Sequence, residues 1–172
     1  TSTSRSRKQA ALTDALADLV LADGLDALSL RPAAARLGTS DRMLLYYFGT
    51  KTELVAAVLR CLSLRMAGLL AQFAPTERLS PENMLVQAAT RLADADMRPF
   101  MVGWTESTAR AARGDALFRQ VAENGSRFWN EWVQARTVFP PSVVPEDGAA
   151  VLLAVLEGLT TLALIGAPVS AR

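Results

Sequence analysis

The chain has no histidine and one cysteine, Cys61, in 172 residues. Those absences exclude disulfide frameworks, zinc fingers, histidine-ligated metals, and every nucleophile that needs a histidine or cysteine partner. No carboxylate pair, glycine-rich phosphate loop or metal-ligand cluster stands in their place. The chain is therefore expected to be no enzyme and to carry no cofactor and no metal. Excess charge is also missing, with 18 basic side chains against 17 acidic, so whole-chain charge names no partner. Charged residues make up only 20% of the chain and hydrophobic ones 51%. That balance excludes a disordered tail and asks for cover beyond the chain's own fold, from an oligomer interface or an apolar ligand. The start, Thr1 to Gln9, is polar and basic without the apolar core of a secretory signal, so a cytoplasmic protein is expected. One membrane-like run, residues 149–167, carries Glu157 at its middle beside Gly158, Thr160 and Thr161. A lone span would bury that charge at the bilayer centre, so no membrane partner is expected.

What is present is helix. Leu12, Leu16, Leu19 and Val20 follow helical spacing, and Gly24 suits the left-handed position beyond a helix end. Two short helices follow, one from Ser29 to Leu37-Gly38 and one from Asp41 to Phe48, the latter capped by Ser40 and closed by Gly49. Thr50-x-x-Glu53 is a capping box opening a long fourth helix with an apolar stripe at Leu54, Val58, Leu62, Met66, Leu69/Leu70 and Phe73. The segment 75–81 is a linker-like turn, and Ser80-Pro81 starts a fifth helix that is expected to end near Asp96. A sixth runs from Pro99 to about Arg113, a seventh from Asp115 to Phe139, and a last one from Glu146 to Ile165. An all-α fold follows, with a head over residues 1–50 and a larger helical body over 51–172.

Two helices of about eight residues joined by Leu37-Gly38-Thr39 have the dimensions of a helix-turn-helix. Arg31, Arg42 and Lys51 each lie in the first turn after a capping hydroxyl (Ser29, Ser40, Thr50), where the helix dipole disfavours a cation. Three such cations within one short stretch ask for an external anion, and DNA phosphate supplies it. Residues 1–60 carry eight basic side chains against six acidic, and residues 61–172 ten against eleven. In the third helix Leu44 and Phe48 should face the core, leaving Ser40, Asp41, Arg42, Met43, Tyr46 and Tyr47 outward. Arg42 can read guanine, an exposed tyrosine can meet phosphate or thymine methyl, and Asp41 either accepts from cytosine or caps the dipole. Arg5, Arg7 and Lys8 form a basic arm suited to clamping backbone or minor groove. The DNA-contacting set is thus Arg7, Lys8, Ser29, Arg31, Thr39, Ser40, Arg42, Met43, Tyr46, Tyr47 and Lys51.

Gly24-Leu-Asp-Ala-Leu-Ser-Leu-Arg31, Ala35-Arg-Leu-Gly-Thr-Ser40 and Leu44-Leu-Tyr-Tyr-Phe-Gly-Thr-Lys51-Thr-Glu-Leu54 together resemble the N-terminal domain of the TetR family of bacterial regulators. The resemblance covers the head only. It implies an all-α homodimer with a three-helix DNA-binding head and a larger helical domain that binds a small effector and dimerises. It also implies phosphate contacts from the lysine opening helix four, here Lys51, and from a tyrosine at the position that holds Leu45. Tyr46 and Tyr47 are the candidates to replace that tyrosine.

In the body, the dimer interface is expected from the seventh and last helices, through Val121, Phe128, Trp132, Leu152, Leu156, Leu159 and Ala163. An effector cavity is expected among helices four to seven, with Met66, Leu70, Phe73, Met84, Leu92, Met97, Met101, Trp104, Glu106 and Thr108 in its wall. Glu106 is there either a solvated charge or a counter-ion for a cationic effector. The functional expectation is a homodimeric repressor, bound to a pseudo-palindromic double-stranded operator and released by a small, largely apolar effector. The alternatives are a constitutive DNA binder without effector, and a helical small-molecule-binding dimer with a vestigial helix-turn-helix.

Overall fold

A computed structural model of the chain describes residues 2–71 and 77–167. It contains eight α-helices among those residues: α1 (Ser2–Asp23), α2 (Leu30–Arg36), α3 (Asp41–Phe48), α4 (Lys51–Ala71), α5 (Pro81–Leu92), α6 (Arg98–Ala112), α7 (Ala116–Arg136) and α8 (Pro145–Leu164). A 3-10 turn, Leu25–Leu28, lies between α1 and α2. Among the described residues no strand forms, and the fold is all-α. One isolated parallel bridge joins Leu79 to Thr137, through Leu79 N–H to the Arg136 carbonyl at 2.8 Å and Val138 N–H to the Leu79 carbonyl at 2.7 Å.

The ends of these helices follow local chemistry. Gly24 stands at φ +80°, a conformation that admits little besides glycine, and turns the chain from α1 into the 3-10 turn. Ser40 and Ser80 accept from the amides of Met43 and Asn83, and Asp115 accepts from those of Leu117 and Phe118. Ser29 differs from expectation: it occupies the N-cap position of α2 but its side chain makes no capping bond. Its backbone is shared between two elements, since its N–H closes the 3-10 turn on the Asp26 carbonyl at 3.1 Å. Helix α5 ends at Leu92 rather than near Asp96, because the chain turns there, with Met97 N–H donating to the Asp94 carbonyl at 3.0 Å.

The first core gathers α1, the 3-10 turn, α2, α3 and the first half of α4 around Leu16, Leu44, Leu54 and Val58, none of them exposed at all. Phe118 of α7 is buried in the same cluster, and Phe100, Ala111, Leu117 and Val121 pack against it. The head is thus roofed by α6 and α7. The second core joins Met84, Val133, Ala149 and Leu152, with Leu79, Trp132, Phe139 and Leu153 packed on it.

Helices α4 and α8 are long and apolar enough to cross a membrane. Part of that apolarity is used inside the chain, by Leu54, Val55, Val58, Leu59 and Leu62 of α4 and by Ala149, Leu152 and Leu156 of α8. This corrects the expected interface: Leu152 and Leu156 are buried within their own chain, Leu159 is half-buried, and of the α8 residues named for it Ala163 alone is exposed. The face of α8 that stays open carries Val151, Val155 and Leu162. On α7, Val121 packs on the first core and Trp132 on the second, while Phe128 is open to solvent.

Candidate functional site

The head presents its polar groups from helix starts. The Ser40 cap fixes where α3 begins, which sends Leu44 and Phe48 into the core and leaves Ser40, Arg42, Met43 and Tyr46 on the open side. Thr50 N–H donates to Glu53 Oε2 at 2.8 Å while Glu53 N–H donates to Thr50 Oγ1 at 3.1 Å, a reciprocal box that sets Lys51 at the first position of α4. Lys51 and Arg42 are exposed, and neither side chain has a hydrogen-bond or ion-pair partner among the described residues. Arg31, also exposed, lies 3.9 Å from Asp41 Oδ2, a pairing too long and too solvated to neutralise it. Thr39 is half-buried between α2 and α3. The two tyrosines separate clearly: Tyr46 is 57% exposed, whereas Tyr47 packs against the core. Leu45 is half-buried.

The expected basic arm is helical, because α1 already starts at Ser2. Arg5 does not hang free: its Nη2 donates to the Tyr46 carbonyl at 2.8 Å and its guanidinium lies 4.7 Å from the centre of the Tyr46 ring. A cation at the C-terminal end of α3 is favoured by the helix dipole, so Arg5 steadies that helix. Arg7 and Lys8 remain exposed on α1.

In the body a cavity of about 540 Å³ opens among α4, α5, α6, α7 and α8, a size suited to a small organic ligand. Met66, Leu70, Met84, Leu92, Met101, Trp104 and Thr108 all line it. Met97 does not; it is fully buried. Phe73 lies outside the described residues. Sequence reasoning missed the contribution of α8, made by Leu153, Leu156, Glu157, Thr160 and Thr161, and that of Trp129 on α7. The isolated Glu157 in an apolar run was the available signal. Trp104 reaches its position because Gly125 of α7 has no side chain: a Cβ there would sit 2.7 Å from the indole. At the α5–α6 corner Arg91, buried beside the cavity, donates to Asp94 at 2.8 Å and to Asp96 at 2.7 and 2.8 Å. The Arg91 hydrogen bonds hold the Asp96 carboxyl below its ordinary value of 3.8.

Residues 12–58 match the model of the bacterial regulatory proteins of the tetR family. The head is that of a TetR-family regulator. Solved structures extend the likeness along the chain. A TetR-family transcriptional regulator from Rhodococcus sp. superposes with a TM-score of 0.70 at 18% identity, over 94% of this chain and 89% of that one. A transcriptional regulator from Rhodococcus sp. Rha1 gives 0.71 at 26% identity, over 95% and 84%. A transcriptional regulator from Saccharomonospora viridis, in complex with choline, gives 0.62 at 21% identity, over 96% and 88%. Comparison with curated proteins returned no match. The match assigns a tetR-family DNA-binding domain to the head, with a helix-turn-helix in α2 and α3.

The head and the cavity share α6. Met101, Trp104, Thr105 and Thr108 line the cavity from one side of that helix. From the other side Glu106, expected in the cavity wall, turns away to the head. Its Oε2 accepts from Leu25 N–H at 2.8 Å, capping the 3-10 turn, and a Cβ on Gly24 would come within 3.0 Å of its Oε1. One turn further along, Arg110 Nη2 lies 2.7 Å from Asp26 Oδ1. The correction has a simple cause: Glu106 lies two positions from Trp104 and Thr108, and residues two apart on a helix do not share a face.

Proposed function

We propose that this TetR-family regulator is a homodimeric repressor that leaves a pseudo-palindromic operator when a small molecule fills the cavity. The observation that carries the reading is the double duty of α6, which lines the cavity with one face and holds the 3-10 turn before α2 with the other. A ligand that shifts α6 by a fraction of its diameter moves Glu106 and Arg110, and with them the turn that orients the reading head. Choline in the Saccharomonospora viridis relative supports a small-molecule occupant of this body. The apolar open face of α8 supports dimerisation, and two-fold symmetry then places two reading helices about one DNA turn, or a multiple, apart.

Phosphate contact falls to Arg42, Lys51 and Arg31, with Arg7 and Lys8 on α1 reaching the flanking backbone. Duplexes selected from random DNA should converge on a two-fold motif. On the selected duplex, Lys51→Ala and Arg42→Ala should each lower the slope of log affinity against log salt by about one. An unchanged slope in both variants removes the DNA-contact assignment. A screen for compounds that raise the melting temperature and also release the operator tests the effector part, since a ligand of the native state must stabilise it. If stabilising compounds leave operator binding untouched, the protein is a constitutive binder.

A further inference from the structure

All three of the chain's tryptophans, Trp104, Trp129 and Trp132, line the cavity. They come from two helices, and Trp129 and Trp132 meet edge to face with ring centres 6.0 Å apart. The charged residues in the same wall are Arg91, Asp94 and Glu157. Arg91 is matched by two carboxylates, Asp94 and Asp96, so it offers no surplus positive charge to a ligand. Glu157 has no hydrogen-bond or ion-pair partner for its carboxylate among the described residues. It is also the only charged residue between Ala149 and Leu164 on α8.

Its direction is set by helical spacing. Leu153, Glu157, Thr160 and Thr161 follow one another at i, i+4, i+7 and i+8, and all four line the cavity. Glu157 is exposed at the cavity, and Arg136 already lies 4.2 Å from the centre of the Trp132 ring; an unmatched carboxylate on an otherwise apolar helix, beside indoles that receive a cation in this way, has the chemistry of a cation site. Indole is the best of the aromatic faces for a cation, and surrounding aromatic walls are the recurrent way to hold a quaternary ammonium group. Met66, Leu70 and Met84 supply a deformable apolar wall for the remainder of the ligand.

We infer that the cavity takes an organic cation, an ammonium group on a hydrocarbon body, with Glu157 as its counter-charge and the tryptophans as its walls. The inference deepens the repressor reading and rests on the cavity being the effector site. It revises the sequence-based choice of acid from Glu106 to Glu157.

The test compares three probes of equal chain length on the whole protein, all well below micelle formation: decyltrimethylammonium, the net-neutral decyldimethylamine oxide, and decyl sulfate. With every tryptophan at the cavity, intrinsic fluorescence reads occupancy directly, and thermal unfolding provides a second measure. The ammonium should bind about tenfold or more tighter than the other two, and Glu157→Gln should remove most of that preference while leaving the amine oxide affinity unchanged. Equal affinity for the three probes, tighter binding of the sulfate, no binding of the ammonium, or a preference that survives Glu157→Gln each overturn the inference. If the ammonium binds with the expected preference but does not release the operator, the ligand class stands and the repressor reading falls.

Discussion

At the residue scale, the position that matters most for the cavity is a glycine inside a helix. Gly125 sits within α7, where alanine would raise helix propensity by about 1 kcal/mol. The added methyl would meet two carbons of the Trp104 ring at 2.7 and 2.8 Å, closer than packed atoms stand, so the indole must move. Gly125→Ala should therefore keep its helix content, shift the tryptophan emission, and weaken ligand binding. An unchanged emission spectrum and ligand affinity would show that Trp104 is not held by this contact. The two tyrosines of α3 give a second residue-scale prediction. Tyr46 is 57% exposed at the open side of the helix, with Arg5 over its ring, and Tyr47 packs on the core. Tyr46→Phe should weaken operator binding by about 0.5–1.5 kcal/mol if its hydroxyl meets phosphate, while Tyr47→Phe leaves binding nearly unchanged. Fluorescence anisotropy on the selected operator measures both, and the reverse order would place the contact on Tyr47. Sequence alone left these residues equivalent, because adjacent positions on a short helix differ by packing that only the folded head supplies.

At the element scale, what was legible was local. Ser40, Gly49 and the Thr50-Glu53 box act over three or four residues, and the helices they delimit stand at Asp41–Phe48 and from Lys51 onward as the sequence implies. What was not legible joins residues far apart in the chain, as Glu106 does with Leu25, 81 positions away. Glu106→Ala would leave a partly buried N–H without its acceptor and should cost about 1–3 kcal/mol, whereas Glu106→Gln keeps an acceptor oxygen and should stay close to the parent stability. Urea unfolding of the two variants distinguishes them, and equal loss in both would mean that charge rather than the acceptor matters. The Arg110–Asp26 pair is different, since the Asp26 side chain is almost fully exposed and such a pair adds little to stability. Its removal by Asp26→Ala should leave the unfolding midpoint in place and reduce the ligand-induced drop in operator affinity.

The α5–α6 corner adds a pH dependence at the same scale. Its Asp96 carboxyl is held below the ordinary 3.8 by hydrogen bonds from Arg91, so its ionised form is favoured in the folded state. On α1, Asp14 is held low chiefly by Arg65, with Cys61 adding to it. A depressed folded value means that the stabilisation is present above the unfolded pKa and is lost as pH falls through the folded one. Acid should therefore destabilise the protein from just above pH 3.8 downward, and Asp96→Asn should flatten that dependence in urea midpoints measured across the range. An identical acid profile in the variant would remove the corner from the account.

At the scale of the whole molecule, the composition that first called for outside cover now has specific faces to assign. Helix α8 is apolar around most of its circumference, so its sequence gives no direction, and the side facing its own chain could not be told from the side left open. Packing divides it: Ala149, Leu152 and Leu156 face inward, Leu153 and Glu157 face the cavity, and Val151, Val155 and Leu162 remain exposed, Val151 by 64%. If that open face is the dimer contact, charges placed on it leave the monomer's core intact and abolish assembly. The double variant Val151→Asp and Leu162→Asp should keep its helix content and melt cooperatively, yet sediment as a monomer at micromolar concentration. Because each head would then bind a half-site alone, operator affinity should fall by about a hundredfold or more. The same charge at Leu152 should instead unfold the body, since it would be buried without a partner. A double variant that still sediments as a dimer would move the interface off this face and leave the exposed valines of α8 needing another partner.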